Sequence, residues 1–188
     1  MIRASIGTFV RRSNLILPRM ISVGQPTPSG VVDILDPSAD YKLLGENTAK
    51  DFGEVLKTQK KVVLFALPGA FTPVCSEKHL PGFMAKAGEL RAKGVEDIYC
   101  LSVNDWFVMR AWGKSYDGFK EAGIKLVCDG NGDYTRAIGC ETDLSVARLG
   151  QRCSRFAAIV ENGVFKTIDV DASSEVDKSG ADSILAQL

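Results

Sequence analysis

The chain has 188 residues, of which 45% are hydrophobic and 24% charged, so a single globular domain with one substantial core is expected. Twenty-three basic and twenty-three acidic residues cancel, which argues against recruitment of nucleic acid or of an anionic membrane by an overall field. We therefore expect a small or neutral substrate.

Residues 1–24 are predicted to be a mitochondrial transit peptide or, in the plainer interpretation, a disordered basic tail. Residues 1–32 contain four arginines and no acidic residue, which is the composition of a mitochondrial targeting segment. Arg19-Met20-Ile21-Ser22 resembles a processing site and would start the mature chain near Ser22. No apolar run is long enough to span a membrane. The mitochondrial matrix is the expected compartment, with the cytoplasm as the alternative, and the folded domain is expected over residues 25–188.

The first half of the chain predicts helices that alternate with buried strands. Residues 47–57 carry apolar residues at helical spacing, and residues 62–67 form a continuous apolar run of strand length. After a turn, a helix is expected to begin at Pro73. Pro81 should kink or break it, and Gly94 should end it.

The second half predicts two more buried strands, at residues 95–103 and 124–128, and a helix that Asp105 caps. Asn162-Gly163 lies between two apolar runs, which predicts a hairpin of residues 156–160 and 164–170. A short helix over residues 181–188 is expected to follow. These elements predict an α/β fold with a central mixed sheet flanked by helices.

The chain contains five cysteines, an odd number, and no C-x-x-C pair. This pattern argues against a secreted disulfide framework and against a structural zinc site. Reduced thiols in an intracellular compartment are expected instead, and we expect neither a metal nor a cofactor.

Cys75 lies in the first turn of the predicted helix, directly after a buried strand. Thr72 is predicted at the N-cap position, so Cys75 takes the third helical position and the Thr72 hydroxyl can face the sulfur. Unpaired backbone N–H groups and the positive end of the helix dipole favour a thiolate there. From the residues alone, a buried and inert cysteine at an ordinary helix start stays equally open.

The pattern P-x-x-x-T-x-x-C, here Pro68 to Cys75, resembles the active-site signature of the peroxiredoxins. The longer run over residues 68–83 is similar to the atypical type II branch found in plants, mammalian mitochondria and protists. Further matching segments follow in the same order, at residues 100–105, 111–113, 141–144 and 155–157. The resemblance implies a thioredoxin-like fold and a thiol-dependent peroxidase of the antioxidant defence.

The resemblance also implies catalytic roles for four residues. The Cys75 thiolate would attack hydrogen peroxide or an organic hydroperoxide, with peroxynitrite as a further candidate, and become a sulfenic acid. Thr72 would bridge thiolate and peroxide, Arg155 would stabilise the growing negative charge, and Pro68 would cover the sulfur.

His79 is the sole histidine and lies four residues after Cys75. A Cys-His hydrolase would place its base within reach of the nucleophile in this way. The sequence shows no oxyanion device, however, and the type II pattern has a histidine at this position. We therefore predict that His79 supports the pocket.

The resolving thiol is left open. Residues 171–180, where mammalian-like type II members carry a second cysteine, contain none. Cys100 matches a cysteine of plant-like members but is also typical of a buried strand, and Cys153 would share a face with Arg155 if its strand begins early. We expect a one-cysteine cycle with an external thiol, either glutathione with glutaredoxin or thioredoxin, in a monomer or homodimer.

Two other functions fit a reactive cysteine. One is a redox relay or sensor that passes the oxidation of Cys75 to a partner protein, and the other is a non-enzymatic interaction module with a thioredoxin fold. Neither accounts for the joint presence of Thr72, Cys75 and Arg155.

Overall fold

The structure is a computed structural model that describes residues 20–39 and 49–188. The predicted targeting segment or tail over residues 1–24 therefore lies almost entirely outside the described residues. Of the helix expected over residues 47–57, residues 49–51 form a strand instead, and the helix begins only at Phe52, because the Asp51 side chain caps it there by accepting from the Glu54 N–H. Ile21 is already part of the folded domain, because its side chain is buried and its N–H donates to the Ile138 carbonyl at 2.8 Å.

A seven-stranded mixed sheet forms the centre of the domain, in the order β2-β1-β5-β4-β3-β8-β9, and a separate two-stranded ribbon pairs β6 with β7. The strands are β1 (Val31–Leu35), β2 (Ala49–Asp51), β3 (Val62–Ala66), β4 (Asp97–Ser102), β5 (Lys125–Cys128), β6 (Glu141–Asp143), β7 (Gln151–Cys153), β8 (Phe156–Glu161) and β9 (Val164–Val170). β4 runs parallel to β3 and β5, whereas β8 is antiparallel to β3 and β9. The predicted mixed sheet is confirmed.

Six α-helices are present in the described residues: α1 (Phe52–Lys57), α2 (Leu80–Ala92), α3 (Trp106–Lys114), α4 (Phe119–Ala122), α5 (Asp133–Ala137) and α6 (Ala181–Leu185). Side chains of β3 alternate between two core clusters, one with Val63 and Phe65 and the other with Leu64. Every residue of β3 is buried, as its continuous apolar run predicted, because helices cover both faces of the sheet.

The helix that carries Cys75 widens before Pro81. Residues Cys75–His79 form a π-helical turn, in which the Leu80 N–H donates to the Cys75 carbonyl, and α2 follows directly. Pro81 therefore does not break the helix; the wider turn accommodates a residue that lacks an N–H and crowds the preceding turn. α2 ends as predicted, with Gly94 at a φ of +86° and the Val95 N–H on the Leu90 carbonyl.

Local turn and capping signals are confirmed. The Asp105 side chain accepts from the Val108 N–H at 3.0 Å and begins α3. Asn162 and Gly163 have φ values of 49° and 73°, the left-handed pair that a two-residue hairpin between β8 and β9 requires. The β6–β7 ribbon was not predicted.

Candidate active site

Cys75 follows β3 at the carboxyl edge of the sheet, and its side chain is only 1% exposed. Thr72 immediately precedes the first helical residue, as predicted, and its carbonyl accepts from the Ser76 N–H at 2.9 Å. The Thr72 hydroxyl donates to the Gly69 carbonyl at 2.8 Å, so the lone pairs of its oxygen stay available to accept a hydrogen bond from a ligand.

Two residues that the sequence analysis did not single out hold the loop before Cys75. The Ala70 N–H donates to Asn104 Oδ1 at 3.0 Å. Arg152 Nη1 donates to the carbonyl oxygens of Pro68 at 3.4 Å and Val103 at 3.3 Å. Asn104 belongs to the matching segment 100–105, which was the only sequence signal for it. Arg152 had no sequence signal, because it binds backbone carbonyls, which every residue type possesses.

Arg155 is brought against Cys75 from 80 residues away in the chain. Its Nη2 lies 3.4 Å from Cys75 Sγ, and its side chain is 5% exposed. Nη2 also donates to the Ser174 carbonyl at 3.3 Å. A guanidinium stays charged at any physiological pH, so a permanent positive charge faces the sulfur in a site with little water. A negatively charged sulfur would be attracted to this charge.

His79 binds the other side of the Arg155 guanidinium. Arg155 Nη1 lies 3.0 Å from His79 Nδ1, and because an arginine can only donate, Nδ1 accepts and carries no proton. His79 Nε2 then donates to the Ser179 carbonyl at 3.0 Å. Burial lowers the pKa of His79 to about 4, and the Arg155 charge acts in the same direction. His79 is therefore a neutral hydrogen-bond partner of Arg155.

Pro68, Thr72 and Arg155 line one cleft of about 420 Å³ beside Cys75. The remaining wall is largely apolar, with Leu144 and Leu149 among its residues. The volume far exceeds the roughly 30 Å³ that one water occupies, so the cleft has room for a peroxide with an organic substituent.

The other cysteines lie away from solvent, and all five are free thiols. Cys100 packs in the same core cluster as Cys75, and burial raises its pKa well above that of an ordinary thiol. Burial has the same effect on Cys153, which packs in the cluster on the opposite face of the sheet. The face that Cys153 would share with Arg155 is not formed, because β7 ends at Cys153 and β8 begins only at Phe156.

Comparisons with known proteins agree with this geometry. Residues 23–185 match the family model described as Redoxin. Peroxiredoxin-2B of Arabidopsis thaliana is 43% identical over 168 residues, which cover 89% of this chain and 98% of the relative. The chain belongs to the peroxiredoxin family. The resemblance to type II members is thereby confirmed, and so is the assignment as an antioxidant thiol peroxidase.

Solved structures of peroxiredoxins share the fold. Reduced Prx3 from Vibrio vulnificus in complex with hydrogen peroxide is 40% identical with a TM-score of 0.75, over 89% of this chain and 99% of that one. The 1-Cys peroxiredoxin of Plasmodium falciparum is 30% identical with a TM-score of 0.74, over 87% and 96% of the two chains. The predicted thioredoxin-like fold is confirmed.

Metal clusters and membrane-spanning helices are both lacking among residues 20–39 and 49–188. Within these ranges, no group of three or more His, Cys, Asp or Glu side chains is arranged to hold a metal ion. No helix in the same part of the chain combines the length and the apolar character needed to cross a membrane.

Proposed function

We propose that this peroxiredoxin reduces hydrogen peroxide and organic hydroperoxides through a Cys75 sulfenic acid, which an external thiol then reduces. The observation that carries the proposal is the 3.4 Å contact between Arg155 Nη2 and Cys75 Sγ, beside a cleft that Pro68 and Thr72 also line. Antioxidant defence and redox homeostasis would be its role in the cell.

Attack of the thiolate on the peroxide transfers one oxygen. An S–O bond forms as the O–O bond breaks, which leaves Cys75–SOH and an alkoxide or hydroxide that takes a proton from water. Arg155 stabilises the negative charge as it moves from sulfur to the leaving oxygen, and the Thr72 oxygen accepts a hydrogen bond from the bound peroxide, whose proton stays on the transferred oxygen. His79 donates its one N–H proton, on Nε2, to the Ser179 carbonyl, so His79 is not the acid in this step.

The cleft supports more than one substrate. Hydrogen peroxide is the ligand named for the related Vibrio vulnificus protein, and it would fill only a small part of about 420 Å³. Leu144 and Leu149 offer an apolar wall to the organic group of a larger hydroperoxide. Peroxynitrite, an anion that Arg155 would attract, is a third candidate.

A one-cysteine cycle is supported by the position of the remaining thiols. Cys100 and Cys153 are both fully buried, and their raised pKa values leave them as neutral thiols, which are poor nucleophiles. The Plasmodium falciparum relative is named a 1-Cys peroxiredoxin. The sulfenic acid would be reduced by glutathione with glutaredoxin, or by thioredoxin.

The mitochondrial matrix is the compartment that we propose, on the arginine-containing, acid-free composition of residues 1–32. The cytoplasm is the alternative, and the protein would act there as a monomer or homodimer. Import of the full chain into isolated mitochondria, with loss of the N-terminal segment, would support the first compartment, and a chain left outside and uncleaved would support the second.

Peroxide consumption by the purified full chain tests the function. The parent should turn over hydrogen peroxide with NADPH and either the glutaredoxin or the thioredoxin system, and Cys75→Ser should abolish turnover. Cys100→Ser and Cys153→Ser should keep the parent rate, with Cys128→Ser as the matched control for a buried thiol. Turnover by Cys75→Ser at the parent rate would refute the proposal, and loss of turnover in Cys100→Ser alone would show an internal resolving thiol.

A further inference from the structure

A chain of hydrogen bonds continues from the catalytic arginine into the segment after β9, buried at His79 and Ser179 and partly exposed at Asp171. Asp171 Oδ1 accepts from the Ser179 N–H at 3.1 Å, and Asp171 Oδ2 accepts from the Ser179 hydroxyl and, at 3.3 Å, from the Asp177 N–H. Ser179 in turn presents its carbonyl to His79 Nε2 at 3.0 Å. His79 Nδ1 receives Arg155 Nη1, whose guanidinium reaches Cys75.

The two ends of this chain of contacts are fixed to the same hairpin. The Asp171 N–H donates to the Arg155 carbonyl at 3.0 Å, so the pairing of β8 with β9 extends to these two residues. Asp171 therefore lies beside Arg155 in the hairpin, and its carboxylate closes the loop of residues 172–178 by binding Ser179. Ser179 in turn binds His79, which binds the Arg155 guanidinium. Ser179 is fully buried, so its bond to His79 is shielded from water, whereas the bonds of the Asp171 carboxylate are partly accessible.

We propose that Asp171 and Ser179 are positioning residues for peroxide reduction, holding His79 with its proton on Nε2 so that Nδ1 fixes the Arg155 guanidinium against the sulfur. This inference rests on the proposed function of Cys75 and adds two residues that act on the sulfur through His79 and Arg155, although Asp171 also lines the cleft. The physical reason is tautomer selection, since a ring nitrogen that donates to a fixed carbonyl leaves the opposite nitrogen as an acceptor. Without that acceptor, Arg155 would lose one of the bonds that orient it.

The aromatic rings around His79 keep the imidazole in one plane. The Phe65 ring lies 5.1 Å from the imidazole in an edge arrangement, and the Phe83 ring lies 5.5 Å away. The imidazole ring therefore has little room to rotate. The identity of its two hydrogen-bond partners decides which nitrogen carries the proton.

The first test needs no substitution. Because His79 is the only histidine, ¹⁵N-histidine labelling of the full chain gives one imidazole spectrum. We expect a neutral ring at neutral pH with the proton on Nε2 and an unprotonated Nδ1. A proton on Nδ1, or rapid exchange between the two tautomers, would overturn the inference. This spectrum requires no peroxide turnover, so it can fail or succeed independently of the proposed function.

The second test compares Asp171→Asn and Ser179→Ala with the surface controls Asp182→Asn and Ser183→Ala. The rate of Cys75 alkylation by iodoacetamide is measured against pH, where the midpoint reports stabilisation of the thiolate and the plateau reports access to the sulfur. We expect the Asp171→Asn midpoint to move to higher pH and its rate with hydrogen peroxide to fall about tenfold, with a smaller change in Ser179→Ala. Unchanged midpoints in both variants would overturn the inference.

Substitutions of His79 separate positioning from simple packing. Glutamine offers both a hydrogen-bond acceptor and a donor, so His79→Gln should have an alkylation midpoint close to that of the parent. Leucine fills the space but offers neither group, so the His79→Leu midpoint should move to higher pH. Equal midpoints for His79→Gln and His79→Leu would show that only the volume of the side chain matters, and would likewise overturn the inference.

Discussion

Acid should destabilise this protein through His79, and His79→Gln should remove that effect. The imidazole is 1% exposed, and its two nitrogens are held by Arg155 and the Ser179 carbonyl. Burial is the main cause that lowers its pKa from 6.5 to about 4, and the facing Arg155 charge adds to it. The Ser179 carbonyl and the Asp171 carboxylate act in the opposite direction without reversing the result.

The direction of the pH dependence follows from the pH at which the folded and the unfolded chain each bind a proton on His79. The unfolded chain binds it near pH 6.5, whereas the folded chain binds it only near pH 4, so the unfolded state binds more protons between these values. The stabilisation from a neutral His79 is therefore complete above pH 6.5 and is lost as the pH falls toward 4. Moving the pKa across that interval corresponds to about 3 kcal/mol of unfolding free energy.

Urea unfolding of the parent and of His79→Gln measures the contribution of His79 to the free energy of unfolding. Tryptophan fluorescence reports the transition, because Trp112 is fully buried. The difference in unfolding free energy between the two proteins should change by about 3 kcal/mol from about pH 7.5 to about pH 4, with the parent losing the more. Carboxylates titrate in both proteins and cancel in the difference. Parallel curves of unfolding free energy against pH for the two proteins would refute the reasoning.

Four further substitutions test the site and the packing of the domain. Arg155→Gln should slow the reaction of Cys75 with hydrogen peroxide by about 10²–10³-fold in stopped-flow measurements, with an unchanged circular dichroism spectrum. Leu149→Trp should reduce kcat/KM for cumene hydroperoxide more than for hydrogen peroxide, because the added ring narrows the apolar side of the cleft. Gly53→Ala should lower the free energy of unfolding by about 1–3 kcal/mol, since its Cβ would overlap the Pro28 carbonyl. Gly88→Ala, where the Cβ meets open space inside α2, should raise it by about 0.5–1 kcal/mol.

The elements that the sequence predicted are those whose signals are local. β3 is a run of apolar residues that only a doubly covered strand can bury, and Asp105 caps α3 through a bond to an N–H three residues away. Asn162-Gly163 forms its turn because both residues tolerate a positive φ. In each case the residues that give the signal also make the contact, so no tertiary information is needed.

The π-helical turn and the β6–β7 ribbon depend on more distant partners. Pro81 signals a disturbed helix, but whether the chain breaks or widens depends on how α2 packs, and here its buried residues hold it against the sheet. Each strand of the ribbon has only three residues, which is too short for a periodic pattern to stand out.

The candidate site divides in the same way. Cys75 and Thr72 follow from a helix start in the sequence, whereas Arg155 needed the family resemblance because it approaches from the distant connection between β7 and β8. Asp171 and Ser179 had no signal of either kind, since Ser179 acts on His79 through a backbone carbonyl that every residue type possesses. Side-chain identity at residue 179 is constrained by burial, by the bond to Asp171 and by the 3.3 Å contact of the Ser179 hydroxyl with His79 Nε2. A sequence pattern can therefore locate the reacting atom, but the groups that orient its electrostatic partner emerge only when the β8–β9 hairpin and the loop that follows it are placed in space.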